Sequence, residues 1–186
     1  MLDRRLLLAS MLILLGGGLL ACGGRSAIEG PRYTTSNIWF ERTDKVQSTN
    51  YQKGALLPAG TKVRIDGIRK NKYILFTNLE TDVQIRLLFV IKHHPGLNFD
   101  AYLQRLFGEK DREALLAGFS DAERAAIERG EVEPGMSREA VLVCNGYPPE
   151  IGTATLKANK WKYWRNRFVT YHVTFEDDQV VDVGRR

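Results

Sequence analysis

Hydrophobic and polar positions follow two different periods along this chain, and the change falls at His93-His94-Pro95-Gly96. Before it, runs rich in Ile, Val, Phe, Trp, Tyr and Thr predict strands at 37–41, 45–50, 61–67, 73–79 and 83–91. Gly54, Pro58-Ala59-Gly60, Asn71-Lys72 and Thr81-Asp82 supply the turns between them. Val63 and Ile65 alternate with Lys62, Arg64 and Asp66, so one face of that strand is wet. Short strands in such quick succession predict a small barrel or meander. In the strand at 37–41 the same alternation has one of Trp39 and Phe40 packed and the other exposed.

Beyond Gly96 the period becomes helical. Phe99, Leu103, Leu106 and Phe107 share one helical face, and Leu115 and Leu116 continue it past the charged patch from Glu109 to Glu113. Ser120-Asp121-Ala122-Glu123 is a capping box that opens a second helix. Ala122, Ala125, Ala126 and Ile127 form its predicted buried side, and Gly130 ends it. Ser137 is the N-cap of a third helix with Ala140, Val141 and Cys144 facing inward, stopped by Gly146 and Pro148.

Strand patterning returns at 160–165 and 168–175. Val169, Tyr171, Val173 and Phe175 share one face there; Phe168, Thr170, His172 and Thr174 take the other. Asn166-Arg167 makes the turn between these strands, Asp177-Asp178 makes the next, and 180–183 is a last strand. Two helices followed by three antiparallel strands form an α+β unit, in which the helices cover one sheet face.

Hydrophobic residues at 44% and charged residues at 26% are ordinary for a globular protein. The net charge of +5 is mild, and no block of like charges forms a polybasic tail. The amino terminus departs from this. A basic start, Asp3-Arg4-Arg5, precedes an apolar run from Leu6 to Leu20 that contains Gly16-Gly17-Gly18. The run is shorter than the roughly 20 residues a spanning helix needs, and it has the layout of a secretory signal peptide. Export excludes a nucleic-acid role.

The end of that run, Leu19-Leu20-Ala21-Cys22, resembles the bacterial lipobox. The resemblance implies cleavage after Ala21 and a diacylglycerol and an N-acyl chain carried covalently on Cys22, with no other cofactor. Several chains on one residue hold a protein stably on a membrane. Gly23 stands where inner-membrane lipoproteins of Gram-negative bacteria tend to have Asp. For such a source this implies the outer membrane, on its periplasmic face. With Cys22 lipidated, Cys144 has no disulfide partner and is read as a small apolar core residue.

Two further resemblances concern the body of the chain. Lys53-Gly54-Ala55-Leu56-Leu57-Pro58-Ala59-Gly60-Thr61-Lys62-Val63-Arg64-Ile65 is similar to an element of bacterial SH3-like domains. From about Asp121 to Val183, Gly135-Met136-Ser137, Val141, Gly146, Pro148, Trp161, Tyr163, Phe175 and Val180 resemble the SmpA/OmlA (BamE-like) domain. Asn145 departs from it, standing where that family usually has Leu. The resulting expectation is α+β. A signal peptide (1–21), a flexible tether (22–32) and a β-rich SH3-like module (33–94) come first. A helical connector (95–118) and a two-helix, three-stranded domain (119–186) follow.

No nucleophile-elbow, zincin or phosphate-loop motif occurs, so no catalytic residue is assigned and the protein is not read as an enzyme. Asp177-Asp178 and Asp182 lack calcium-loop spacing and fit a hairpin. The adjacent His93 and His94 point to opposite sides of an extended chain, and only His172 accompanies them. They are read as exposed loop residues, with no metal site. In the aromatic and basic run from Trp161 to Arg167, Trp161 and Tyr163 pack inward. Trp164, Arg165 and Arg167 are the candidates for contact with a protein partner or lipid head groups. The BamE-like resemblance implies a lipid-anchored, non-catalytic envelope assembly factor. Its partners would be envelope proteins, the β-barrel assembly machinery among them, with no small-molecule substrate. The SH3-like resemblance implies an alternative, a periplasmic lipoprotein that binds cell wall.

Overall fold

The structure is a computed structural model that describes residues 30–184. The expected signal peptide, Cys22 and most of the expected tether lie outside the described residues. The fold is mixed α+β, a curled half-barrel sheet with few helices.

The chain enters through β1 (Arg32–Thr34), β2 (Ile38–Phe40), β3 (Val46–Gln47) and β4 (Ala55–Leu57). The long strands β5 (Lys62–Arg69), β6 (Tyr73–Asn78) and β7 (Gln84–Leu88) follow. A single 3-10 turn, Ile91–His93, leads to α1 (Phe99–Leu106) and β8 (Phe107–Gly108). The curled sheet has the order β3-β7-β6-β5-β1-β8 and is antiparallel except where β3 pairs with β7. β2 and β4 form a separate two-stranded ribbon.

Alternation in β5 sends Val63 and Ile65 inward and leaves Lys62, Arg64 and Asp66 wet, as expected. Arg32, placed at the end of the tether by the sequence, opens β1 and pairs with Val63. That three-residue strand gains its partners only from β5 and β8, so its own pattern carries no strand signal. β4, paired with β2, and β8, paired with β1, are likewise short pieces.

The later half holds α2 (Arg112–Leu116), α3 (Asp121–Arg129) and α4 (Arg138–Asn145). These precede β9 (Lys160–Trp164), β10 (Thr170–Glu176) and β11 (Gln179–Val183), which form an antiparallel sheet in the order β11-β10-β9. Asp177 and Asp178 both have positive φ, which makes the tight hairpin turn between β10 and β11.

Two apolar cores result. The first gathers the inward faces of the curled sheet with Phe99, Leu103 and Leu106 of α1. The second gathers Ile127, Val141, Cys144, Trp161, Tyr163, Val173 and Phe175. Within the stretch 95–118, residues of α1 and β8 belong to the first core and Leu116 of α2 to the second. On α3 only Ala126 and Ile127 are buried. Ala122 is exposed and Ala125 half-buried, since the helix rests on the second core by a narrow stripe. Trp39 and Phe40 are both half-buried, with Phe40 against the first core and Trp39 beside Gly130. Gly130 caps α3 at φ +68°, and a Cβ there would lie 2.5 Å from the Trp39 ring, so both its dihedral and its space require glycine.

A seam of amide side chains joins the cores. Buried Asn37 donates from Nδ2 to the Ile127 carbonyl at 2.7 Å and accepts at Oδ1 from the Ala59 N–H at 2.8 Å. Its own N–H donates to the Val143 carbonyl at 2.9 Å. Asn50 Nδ2 donates to the carbonyls of Asn37 and Asn145, both at 2.9 Å. Asn145 in turn donates to Tyr171 Oη and accepts from Gln52 Nε2, each at 2.7 Å. Asn145 thus has a structural role, because this amide closes the seam.

Glu123 ties α3 to α4. Oε2 accepts from Ser120 N and Oγ, both at 2.9 Å; Oε1 accepts from Ser137 N at 2.9 Å and Ser137 Oγ at 2.7 Å. Burial alone would raise this carboxyl. The bonds from Ser137 and Ser120 outweigh that and hold it down at about 2, against an ordinary 4.5.

Asn37→Ala leaves the Ile127 carbonyl and the Ala59 N–H without their partner in a buried site. The expected loss is about 2–5 kcal/mol, read as a lower urea midpoint at unchanged slope. Glu123 stabilises the fold fully above pH 4.5, and that contribution disappears as pH falls toward 2. Between pH 6 and pH 3 the urea midpoint should therefore drop further in the native protein than in Glu123→Gln. Equal drops would show that the carboxylate contributes nothing to acid stability.

Candidate functional site: a basic groove between two hairpins

The turn of the β5–β6 hairpin, the 3-10 turn after β7 and the tip of the β9–β10 hairpin converge on one side of the molecule. They line an open groove of about 910 Å³. Among the described residues, Lys70, Lys72, Lys92 and Arg167 line it, and no carboxylate does. A second recess of about 480 Å³ continues it past Gln47, Tyr51 and Arg167, which both share, to Lys45 and Phe168. The single carboxylate that lines that recess among the described residues, Glu41, is paired with Lys53 at 2.8 Å. The turn residues Lys70 and Asn71 have positive φ, a hairpin geometry that directs this stretch outward. Clustered cations without counter-charges focus the field and attract anionic partners.

The structure does not bring the three predicted contact residues together. Trp164 is half-buried, its ring stacked on His93 at 6.4 Å between centroids with Lys162 Nζ 5.4 Å from its own ring. Arg165 lies over the Tyr171 ring at 5.3 Å and borders a different recess, of about 390 Å³, that also holds Glu131 and Glu133. Only Arg167, above the Phe168 ring at 4.5 Å, faces the groove. Trp161 and Tyr163 pack inward as expected, at 1% and 3% exposure. The lysines of the groove were not singled out from the sequence. They come from turns far apart in the chain, and each alone reads as an ordinary solvated residue.

The histidines differ from expectation. His93 is half-buried; its Nδ1 lies 2.7 Å from Thr49 Oγ1, and burial together with Lys92 lowers its pKa. His94 is buried, not exposed. Its ring stacks on Phe89 at 5.6 Å, neither ring nitrogen has a hydrogen-bond partner among the described residues, and burial pushes its pKa down to about 4. His93 lines the groove, while His94 packs against Phe89 and Tyr102 of the first core. A recess with about 30 Å³ of water-sized space adjoins His94, room for a water molecule.

The hydroxyl and imidazole of Thr49 and His93 are at the spacing of a nucleophile and its base. However, Thr49 is only 2% exposed, which closes its oxygen to a substrate. Among the described residues no three His, Cys, Asp or Glu side chains converge as metal ligands. Nor is any described helix long and apolar enough to cross a membrane. Cys144 lies on the buried face of α4, where burial pushes its thiol up to about 12.

No family model, no curated protein and no solved structure matches the chain.

The Cys144 thiol is expected to resist a thiol-specific reagent at pH 8 in the native protein and to react fully in urea. Rapid native labelling, followed by absorbance, would contradict its burial.

Proposed function

We propose that the protein is a lipid-anchored, non-catalytic envelope protein that binds protein partners and stabilises their assembly at the periplasmic face of the outer membrane. The observation that carries the binding reading is the basic groove, whose cations have no carboxylate lining it beside them among the described residues. The lipobox resemblance at Leu19-Leu20-Ala21-Cys22 carries the anchor. In this reading α3 and α4, resting on β9, β10 and β11, are the SmpA/OmlA (BamE-like) unit, and the curled sheet is an elaborated SH3-like module. What supports the first assignment is the order of elements and the inward packing of Trp161, Tyr163 and Phe175. The β-barrel assembly machinery is the partner this reading names.

Because Asn37 and Asn50 lie in the β-rich half and hold the other half, deleting that half would unfold what remains. Point variants are the sound test. Affinity purification from native envelopes would compare three lipidated or unlipidated forms: the native protein, Cys22→Ala, and a form carrying Lys70→Ala, Lys72→Ala, Lys92→Ala and Arg167→Ala. Barrel-assembly components should accompany the lipidated protein and diminish in both variants. Recovery of cell-wall material instead would favour the cell-wall-binding alternative. Equal recovery with the groove variant would remove the groove from the function.

A further inference from the structure

The composition of the groove defines its occupant more narrowly. The cations Lys70, Lys72, Lys92 and Arg167 are all exposed and come from three separate turns. Two large apolar side chains flank them. Ile91 is 67% exposed beside Lys92, and Phe168 is 79% exposed beside Arg167. Amide side chains lie between, namely Gln47, Asn71 and Asn166. Asn166 Oδ1 accepts the N–H groups of Phe168 and Val169, both at 2.9 Å, and so presents its amide nitrogen as a donor.

We propose that this groove binds an extended acidic peptide segment of a protein partner, one in which carboxylates alternate with apolar side chains. The inference rests on the partner-binding reading above and names the chemistry of that partner. Carboxylates meet the lysines and Arg167, whose planar fork suits a carboxylate. Apolar side chains cover Ile91 and Phe168, which otherwise remain in water at a cost of roughly 25 cal/mol per Å² of apolar surface. The amides satisfy a peptide backbone, which offers a donor and an acceptor at each residue. The two recesses join end to end through Gln47, Tyr51 and Arg167, a shape that takes a strand of chain. A flat bilayer surface does not fill such a recess, and a simple phosphate makes no use of the apolar flanks.

The test uses the detergent-solubilised full chain and fluorescence polarisation. The probe is a labelled peptide alternating Glu with Leu and Phe, compared with the same peptide carrying Gln for Glu. The acidic peptide should bind at least about tenfold more tightly than the neutral one, and more weakly as salt rises. Lys70→Glu and Lys92→Glu should each weaken binding by about fivefold or more. Ile91→Ala and Phe168→Ala should each weaken it by roughly two- to fivefold, and Lys110→Glu, outside the groove, should leave it unchanged. All are exposed positions, and unchanged thermal melting would verify the fold. Equal affinity for the two peptides, or binding indifferent to the charge reversals, overturns the proposal. So does binding of phosphatidylglycerol vesicles or polyphosphate, lost in the same variants, when the peptide does not bind. If envelope capture depends on the groove but the peptide fails, this inference falls and the partner-binding reading stands. If the peptide binds but capture ignores the groove, the partner-binding reading falls instead.

Discussion

The structure depends on the buried amide seam between its two apolar cores. Neither core is large. A small domain buries a limited fraction of its surface, so each half alone would be marginal. Asn37 and Asn50 make them one body by exchanging hydrogen bonds with Ile127, Ala59 and Asn145. Buried amides of this kind are costly when unpaired and specific when satisfied. They therefore set how the curled sheet sits against the α3–α4 pair, where apolar contact alone would allow the halves to slide.

That fixed docking is what creates the groove. One side of it is built by the turns at Lys70–Lys72 and Ile91–His93, at the end of the curled sheet. The other is the β9–β10 hairpin tip with Arg167 and Phe168. The stack of Trp164 on His93 lies at the junction and braces the hairpin against the sheet. Trp164 thus acts on the groove through position, while the lysines and Arg167 supply its charge.

Local order in the second half has its own cause. Glu123 satisfies orphan N–H groups at the starts of two helices at once, so α3 and α4 are held in register at their N-termini. Arg138, in the first turn of α4, closes the other side. Its guanidinium lies 4.4 Å above the Phe175 ring and donates to the carbonyls of Leu156 and Ala158. The polar stretch 150–159, which has little pattern of its own, is bound down by these contacts.

What the sequence by itself determined is local. Ser120 with Glu123, Ser137, Gly130 and Asp177-Asp178 act on backbone groups a few residues away, so their caps and turns were legible from spacing alone. The alternation of Val63 with Arg64, and of Trp161 with Lys162, was legible for the same reason, since a strand has two faces. The tertiary structure decided everything that depends on distant partners. Strands β1, β4 and β8 exist because neighbours pair with them, and α1 joins the first core because the curled sheet offers it a face. His94 is buried because Phe89 and Tyr102 enclose it. The groove belongs to this class as well. Lysines scattered over separate turns become one site only when the seam at Asn37 and Asn50 brings those turns together, and no periodicity in the chain encodes that distance.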